Sequence, residues 1–195
     1  MTDNPITKFH RWWDEVKHDR TLKQPGAVCV STVAPDGKPS ARFVDLKSAD
    51  ARGFAFCTWF DSRKGKELEH NPHVALTFWW ENKGYQVRVE GIAQPVDVEQ
   101  SEAWWSSRSR DAQLATLCFQ QSQPLAAVEE LEQKLQQAKA VYAGQPVSKP
   151  ARWGGVCVVP QAIEFLTFRD NRLHLRELYT RPEQTGDWEK QLLQP

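Results

Sequence analysis

At 195 residues, with 25 Lys and Arg balanced by 25 Asp and Glu, the chain is long enough to bury one substantial core and carries no formal net charge. That balance excludes bulk attraction to nucleic acid or an anionic membrane, so any basic site must be local. The cysteines, Cys29, Cys57, Cys118 and Cys157, are scattered without a CxxC pair; with no leader and no apolar run of roughly 20 residues, a cytoplasmic protein with reduced thiols is expected.

In chain order, residues 7–20 place Phe9, Trp12, Trp13 and Val16 at helical spacing, which predicts an amphipathic helix inside an N-terminal arm over 1–24. The periodicity then changes to that of strands. Residues 27–33 and 41–47 read as a hairpin around the turn 35–39, followed by strands over 54–60, 74–80 and 85–96. A short helix over 62–70 is expected between them, with Asp61 or Ser62 as its cap and Asn71-Pro72 as its stop. Residues 98–107 and 125–142 read as helices, 144–150 as a linker, and 153–159, 162–168 and 172–180 as strands. Strands early and late, without strict βαβ alternation, predict an α+β fold: a single domain over 1–195 with a mainly antiparallel sheet or barrel and flanking helices.

Two stretches carry chemistry. In Arg172-Leu173-His174-Leu175-Arg176, an extended strand would put both guanidiniums and the imidazole on one face, where an anion such as phosphate would relieve their repulsion. Ser62-Arg63-Lys64 opens a helix whose unpaired N–H groups and basic side chains suit an anion as well. Arg42 and Lys47 are five apart, hence on opposite faces of a regular strand. No P-loop or GxGxxG pattern is present. The nine tryptophans suit core and subunit interface better than base stacking, and the histidines lack ligand-like spacing, so no metal site is expected.

Taken in order, residues 42–47, Ser62-Arg63-Lys64, residues 86–91, residues 107–111, Gln121-Ser122, Trp153-Gly154-Gly155, Ile163-Glu164-Phe165 and Arg172–Arg176, closing with Trp188 and Leu193, resemble the pyridoxamine (pyridoxine) 5′-phosphate oxidase family of flavin enzymes. The resemblance implies an FMN-binding split β-barrel, a homodimer with flavin sites at the interface, and residues 150–195 contributing to both dimer and active site. Carried over by position, Arg42, Phe43, Val44, Lys47, Cys57, Thr58, Arg63, Lys64, Gln86, Gln121, Ser122 and Arg176 would bind FMN, some from the second subunit. Lys47, Trp104, Arg108, Arg172 and His174 would bind a phosphorylated pyridine, with Arg172 and His174 as the catalytic pair. The implied reaction oxidises pyridoxamine or pyridoxine 5′-phosphate to pyridoxal 5′-phosphate, with O2 reduced to H2O2.

The chain departs from the family pattern at six places. Trp104 and Ala112 lack the hydroxyls usual on the substrate phosphate. Leu166 stands for a flavin-side tryptophan, Cys57 for an aromatic residue, Asp45 for an apolar one and Leu175 for an acid. Two alternatives follow from these departures: a flavin oxidoreductase acting on another small heteroaromatic compound, and a non-catalytic protein that binds FMN or pyridoxal phosphate.

Overall fold

The computed structural model describes residues 4–182 and 186–195; the first three residues of the expected N-terminal arm lie outside the described residues. The chain runs α1 (Pro5–Lys17), β1 (Ala27–Val33), β2 (Pro39–Asp50), β3 (Gly53–Trp59), α2 (Arg63–His70), β4 (His73–Trp80), β5 (Tyr85–Pro95), α3 (Val98–Ser106), α4 (Arg110–Cys118), α5 (Glu129–Val141), β6 (Trp153–Thr167), β7 (Leu175–Thr180) and β8 (Glu189–Leu193). All strand pairs are antiparallel, in the order β3-β2-β1-β4-β5-β6-β7-β8, and β3 also pairs with β6. That last pairing closes six strands into a barrel and leaves β7 and β8 as a flap beyond it. The expected α+β split barrel is therefore the fold.

Alternation builds the core. Along β1 every second residue is buried, and Val28, Val30, Leu76, Phe78, Val87, Val89, Ile163 and Phe165 turn into the barrel. Helix α1 is capped by Asn4, whose side chain accepts from the Ile6 and Thr7 amides, and it closes one end. Its Phe9, fully buried, meets Phe54 and Phe78 edge-on at 4.8 and 5.0 Å, a burial that stabilises by roughly 1.5–3 kcal/mol. Outside the barrel, α3, α4 and α5 cover the β3–β6 wall through a second cluster containing Trp105, Leu114, Val147 and Trp153.

Four expectations need correction. The predicted strands 153–159 and 162–168 are one strand, because Pro160 falls at a register shift against β5, where side-chain-free Gly91 admits the Val159 backbone. Residues 110–118, not predicted as helix, form α4 under a Ser109 cap that accepts from the Ala112 amide. The helix expected over 125–142 begins only at Glu129. The strand expected over 172–180 starts at Leu175, because Arg172 takes a left-handed conformation (φ 64°) and its N–H closes a turn on the Arg169 carbonyl at 3.1 Å. Arg172, His174 and Arg176 therefore do not share one strand face.

Candidate functional site

Helix α2 is the centre of the basic cluster. Ser62 caps it by accepting from the Gly65 amide at 3.2 Å while its hydroxyl donates to the Trp59 carbonyl at 2.6 Å. Gly65 is required there, since a Cβ would stand 2.3 Å from the Phe60 carbonyl oxygen. The helix start is thereby pressed onto the end of β3, with Arg63 and Lys64 in its first turn.

Glu67, one turn on, is the buried hub that sequence reasoning missed; its spacing of four from Arg63 was the available signal. Its carboxylate accepts from Thr32 (2.5 Å), Ser40 (2.7 Å), Arg63 (2.8 Å) and Arg42 (3.2 Å). Burial raises its pKa, but those hydrogen bonds outweigh burial and hold it at about 2. Lys64 is nearly buried and has no carboxylate partner among the described residues; its Nζ donates to Gln121 Oε1 at 2.8 Å and to Ser62 Oγ at 3.4 Å. Burial and then the Arg42 charge lower its pKa to about 8. Three cations thus face one carboxylate, a surplus of two positive charges.

These groups border a cleft of about 540 Å³ lined by Ser40, Ala41, Arg42, Phe43, Val44, Asp45, Cys57, Arg63, Lys64, Gln121 and Ser122. Gln121 and Ser122 come from the exposed connection after α4, and Ser122 Oγ accepts from the Arg63 amide at 3.2 Å. Thr58 lies buried beside the cleft, its hydroxyl 3.4 Å from that of Ser62. On the rim Asp45 is neutralised by Lys47 at 2.6 Å. Burial pushes the Cys57 thiol up to about 11, against the opposing charges of Lys47 and Arg108, so it is protonated at neutral pH. Lys47 and Arg108 therefore stand near the same stretch of β3.

Arg108 is committed to its own surroundings. Its guanidinium donates to the Ala112 carbonyl (3.2 Å) and the Thr116 hydroxyl (3.1 Å) and stacks over Trp153 at 5.3 Å, while Nε is buried without a partner. Trp104 packs against Gly155, where a Cβ would come within 2.4 Å of its ring.

The remaining predicted residues lie elsewhere on the barrel. Gln86 on β5 and Arg176 on β7 flank Leu166 on β6 in register, on the outward row opposite in sense to buried Val87 and Phe165. Arg176 donates to Glu164 at 2.7 Å, so this neighbouring-strand carboxylate is the partner that Leu175 cannot be. His174 packs against Phe168 with ring centroids 4.6 Å apart, and Phe168 meets Trp79 at 4.8 Å. Arg172 is exposed on its turn. In the closed order, β2 and β5 are three strands apart in either direction, by β1 and β4 or by β3 and β6. The cleft and the Gln86–Arg176 row consequently lie on opposite sides of one barrel.

Fold and site together define a split-barrel protein with a cation-lined cleft at a helix start. A family model described as pyridoxamine 5′-phosphate oxidase matches residues 15–142, and one described as pyridoxine 5′-phosphate oxidase C-terminal dimerisation region matches residues 153–195. A pyridoxine/pyridoxamine 5′-phosphate oxidase of Rubrobacter xylanophilus is 45% identical over 192 residues, covering 98% of this chain and 87% of that protein. The Myxococcus xanthus DK1622 protein of the same name is 43% identical, covering 98% and 92%. Among solved structures, PhzG from Burkholderia lata in complex with tetrahydrophenazine-1-carboxylic acid superposes with a TM-score of 0.90 at 31% identity, covering 98% of this chain and 93% of that one. A pyridoxamine 5′-phosphate oxidase-related, FMN-binding protein of Nostoc punctiforme shares the fold at a TM-score of 0.79 and 18% identity, with both chains covered in full. The chain belongs to the pyridoxamine 5′-phosphate oxidase family.

Proposed function

We propose that this protein is an FMN-dependent oxidase that converts pyridoxamine or pyridoxine 5′-phosphate to pyridoxal 5′-phosphate, acting as a homodimer. The observation that carries this reading is the twofold positive surplus around buried Lys64, which a phosphate monoester dianion matches in charge. The residues fit the cofactor: Arg42, Arg63, Lys64, Gln121 and Ser122 would hold the FMN phosphate, with Phe43, Val44, Lys47, Cys57 and Thr58 alongside. When bound, FMN supplies a hydride acceptor that O2 reoxidises with release of H2O2.

The opposite placement of the Gln86–Arg176 row supports a site completed by a second copy, since one barrel cannot turn both groups to one ligand. Phe43 and Leu192, 71% and 67% exposed, are apolar groups suited to such an interface. On the substrate side, Lys47 and Arg108 would hold the second phosphate, Trp104 would border it, and Arg172 and His174 would contact the pyridine ring and orient its C4′ substituent.

A second reading has its own observation. With no hydroxyl at Trp104 or Ala112 and Arg108 engaged by α4, the substrate-phosphate position is poor in donors. That favours a flat aromatic acid of the kind bound by the Burkholderia relative. Peroxide formation by the FMN-loaded protein, measured with pyridoxamine 5′-phosphate, pyridoxine 5′-phosphate and a partly reduced tricyclic aromatic acid, separates the two. Turnover of either phosphate is expected; turnover of the tricyclic acid alone would replace the first reading with the second, and a protein that binds no FMN would overturn both.

A further inference from the structure

The two oxygens of Glu67 have different partners. Oε1 accepts from Arg63 Nε at 2.8 Å, whereas Oε2 accepts from the Thr32 hydroxyl at 2.5 Å, the Ser40 hydroxyl at 2.7 Å and Arg42 Nη2 at 3.2 Å. Arg42 in turn donates from Nη1 to Thr32 Oγ1 and from Nη2 to Ser40 Oγ, both at 2.5 Å, and Nη1 also reaches the Val30 carbonyl at 3.3 Å. Each hydroxyl has one hydrogen, and a guanidinium cannot accept it. The two hydroxyls lie 3.4 Å apart, farther than either lies from Glu67, so the carboxylate takes both hydrogens and both lone pairs turn to Arg42. Strand register supplies this grip, with Thr32 opposite Ser40 and Val30 opposite Arg42 on the β1–β2 pair. Thr32 and Glu67 are buried, while Ser40, Arg42 and Arg63 line the cleft above them.

We infer that Glu67 is a positioning residue for a phosphate monoester: one oxygen sets Arg63, and the other, through the Thr32 and Ser40 hydroxyls, sets Arg42, so that both guanidiniums are ordered at the cleft before the phosphate arrives. This rests on the reading of the cleft as the FMN phosphate site. The carboxylate also repels that phosphate, so its two effects have opposite signs. Ordering outweighs repulsion. Without Glu67, Arg63, its side chain 61% exposed, would relax into solvent and Arg42 would lose the direction of both hydroxyls, whereas one added positive charge acts across a cleft open to water and is screened there. Glutamine cannot stand in: its single oxygen keeps either Arg63 or the hydroxyl pair, and its amide hydrogens then face the donors on the other side.

Affinities of the apoprotein for FMN and for riboflavin, measured by flavin fluorescence quenching, separate positioning from folding, because riboflavin carries the same ring system without the phosphate. Glu67→Gln should lose about tenfold in FMN affinity and less than about twofold in riboflavin affinity. Thr32→Val removes one bridging hydroxyl, leaves every charge in place and should lose about fivefold for FMN alone, while Thr32→Ser should keep parent binding. Tighter FMN binding by Glu67→Gln would make the carboxylate a counter-charge only, and equal losses for the two flavins would make it a folding residue; either result overturns the inference. Should Glu67→Gln not fold, Thr32→Val decides, and parent FMN affinity in that variant overturns it. A parent protein that binds FMN no better than riboflavin would remove the phosphate from this cleft and defeat the proposed cofactor site itself, whereas a parent preference for FMN that survives in both variants rejects the role of Glu67 alone.

Discussion

Lys64 is a buried cation held by the neutral oxygens of Gln121 and Ser62. Its pKa, lowered to about 8 by burial and Arg42, means the empty cleft carries the full positive charge below pH 8 and loses part of it above. A bound phosphate restores the favourable environment and raises that pKa, so binding takes up protons at higher pH. FMN affinity is therefore expected to weaken as pH rises from about 7 through 8, apart from the separate loss below about pH 6 where the phosphate itself becomes a monoanion, and Lys64→Met should abolish the alkaline dependence while weakening binding throughout. Fluorescence titration of apoprotein with FMN from pH 6 to 10 checks this. Arg172 poses the opposite question, since a non-glycine residue at φ 64° costs about 1 kcal/mol and persists where the position is used. Arg172→Gly should raise stability in urea by about 0.5–1 kcal/mol and yet lower kcat/KM by more than about threefold. A gain in both would remove Arg172 from the site.

Among the elements, α2 converts a sequence feature into a site. Basic residues in a first helical turn oppose the helix dipole, and here they are tolerated because Glu67 sits beneath them and the cleft opens above. The helix can occupy that place only because residue 65 has no side chain. Gly65→Ala should displace the first turn, cost about 1–3 kcal/mol in thermal or urea unfolding, and weaken FMN binding at least about tenfold. A variant with parent affinity would show that the first turn does not bind the phosphate. At the other end of the site, the strand expected from alternation in Arg172–Arg176 was shortened by the Arg169–Arg172 turn. Alternation of Leu with polar residues is compatible with a strand, but the turn is set by the Asn171 side chain accepting from the Leu173 amide at 3.0 Å and by the Arg169 contact to His174.

At the scale of the molecule, the six-strand closure separates the proposed FMN-binding residues into two groups on opposite sides. A two-fold dimer in which one protomer's cleft meets its partner's β5–β7 row would generate two identical complete sites. Co-expression of Lys64→Met and Arg176→Ala chains tests this. Each variant alone should be weak, whereas a mixed dimer carries both lesions in one site and none in the other, recovering about half the parent activity per dimer. No recovery in purified mixed dimers would place both residues in a single protomer's site.

What the sequence determined by itself is the local grammar and the residue types: the hairpin, the capped helix at Ser62, the amphipathic α1 and the phosphate-suited cations, because alternation, capping and charge act over a few residues. The order of motifs also made the family legible. The β3–β6 closure, the buried Glu67 hub, the Phe168 packing beneath His174, the commitment of Arg108 to α4 and the placement of the proposed FMN-binding residues on two sides of the barrel were decided only by tertiary structure. Each depends on contacts between residues far apart in the chain, such as Thr32 with Glu67 and Cys57 with Gly155, and on backbone space at Gly65 and Gly84 that no periodicity reveals.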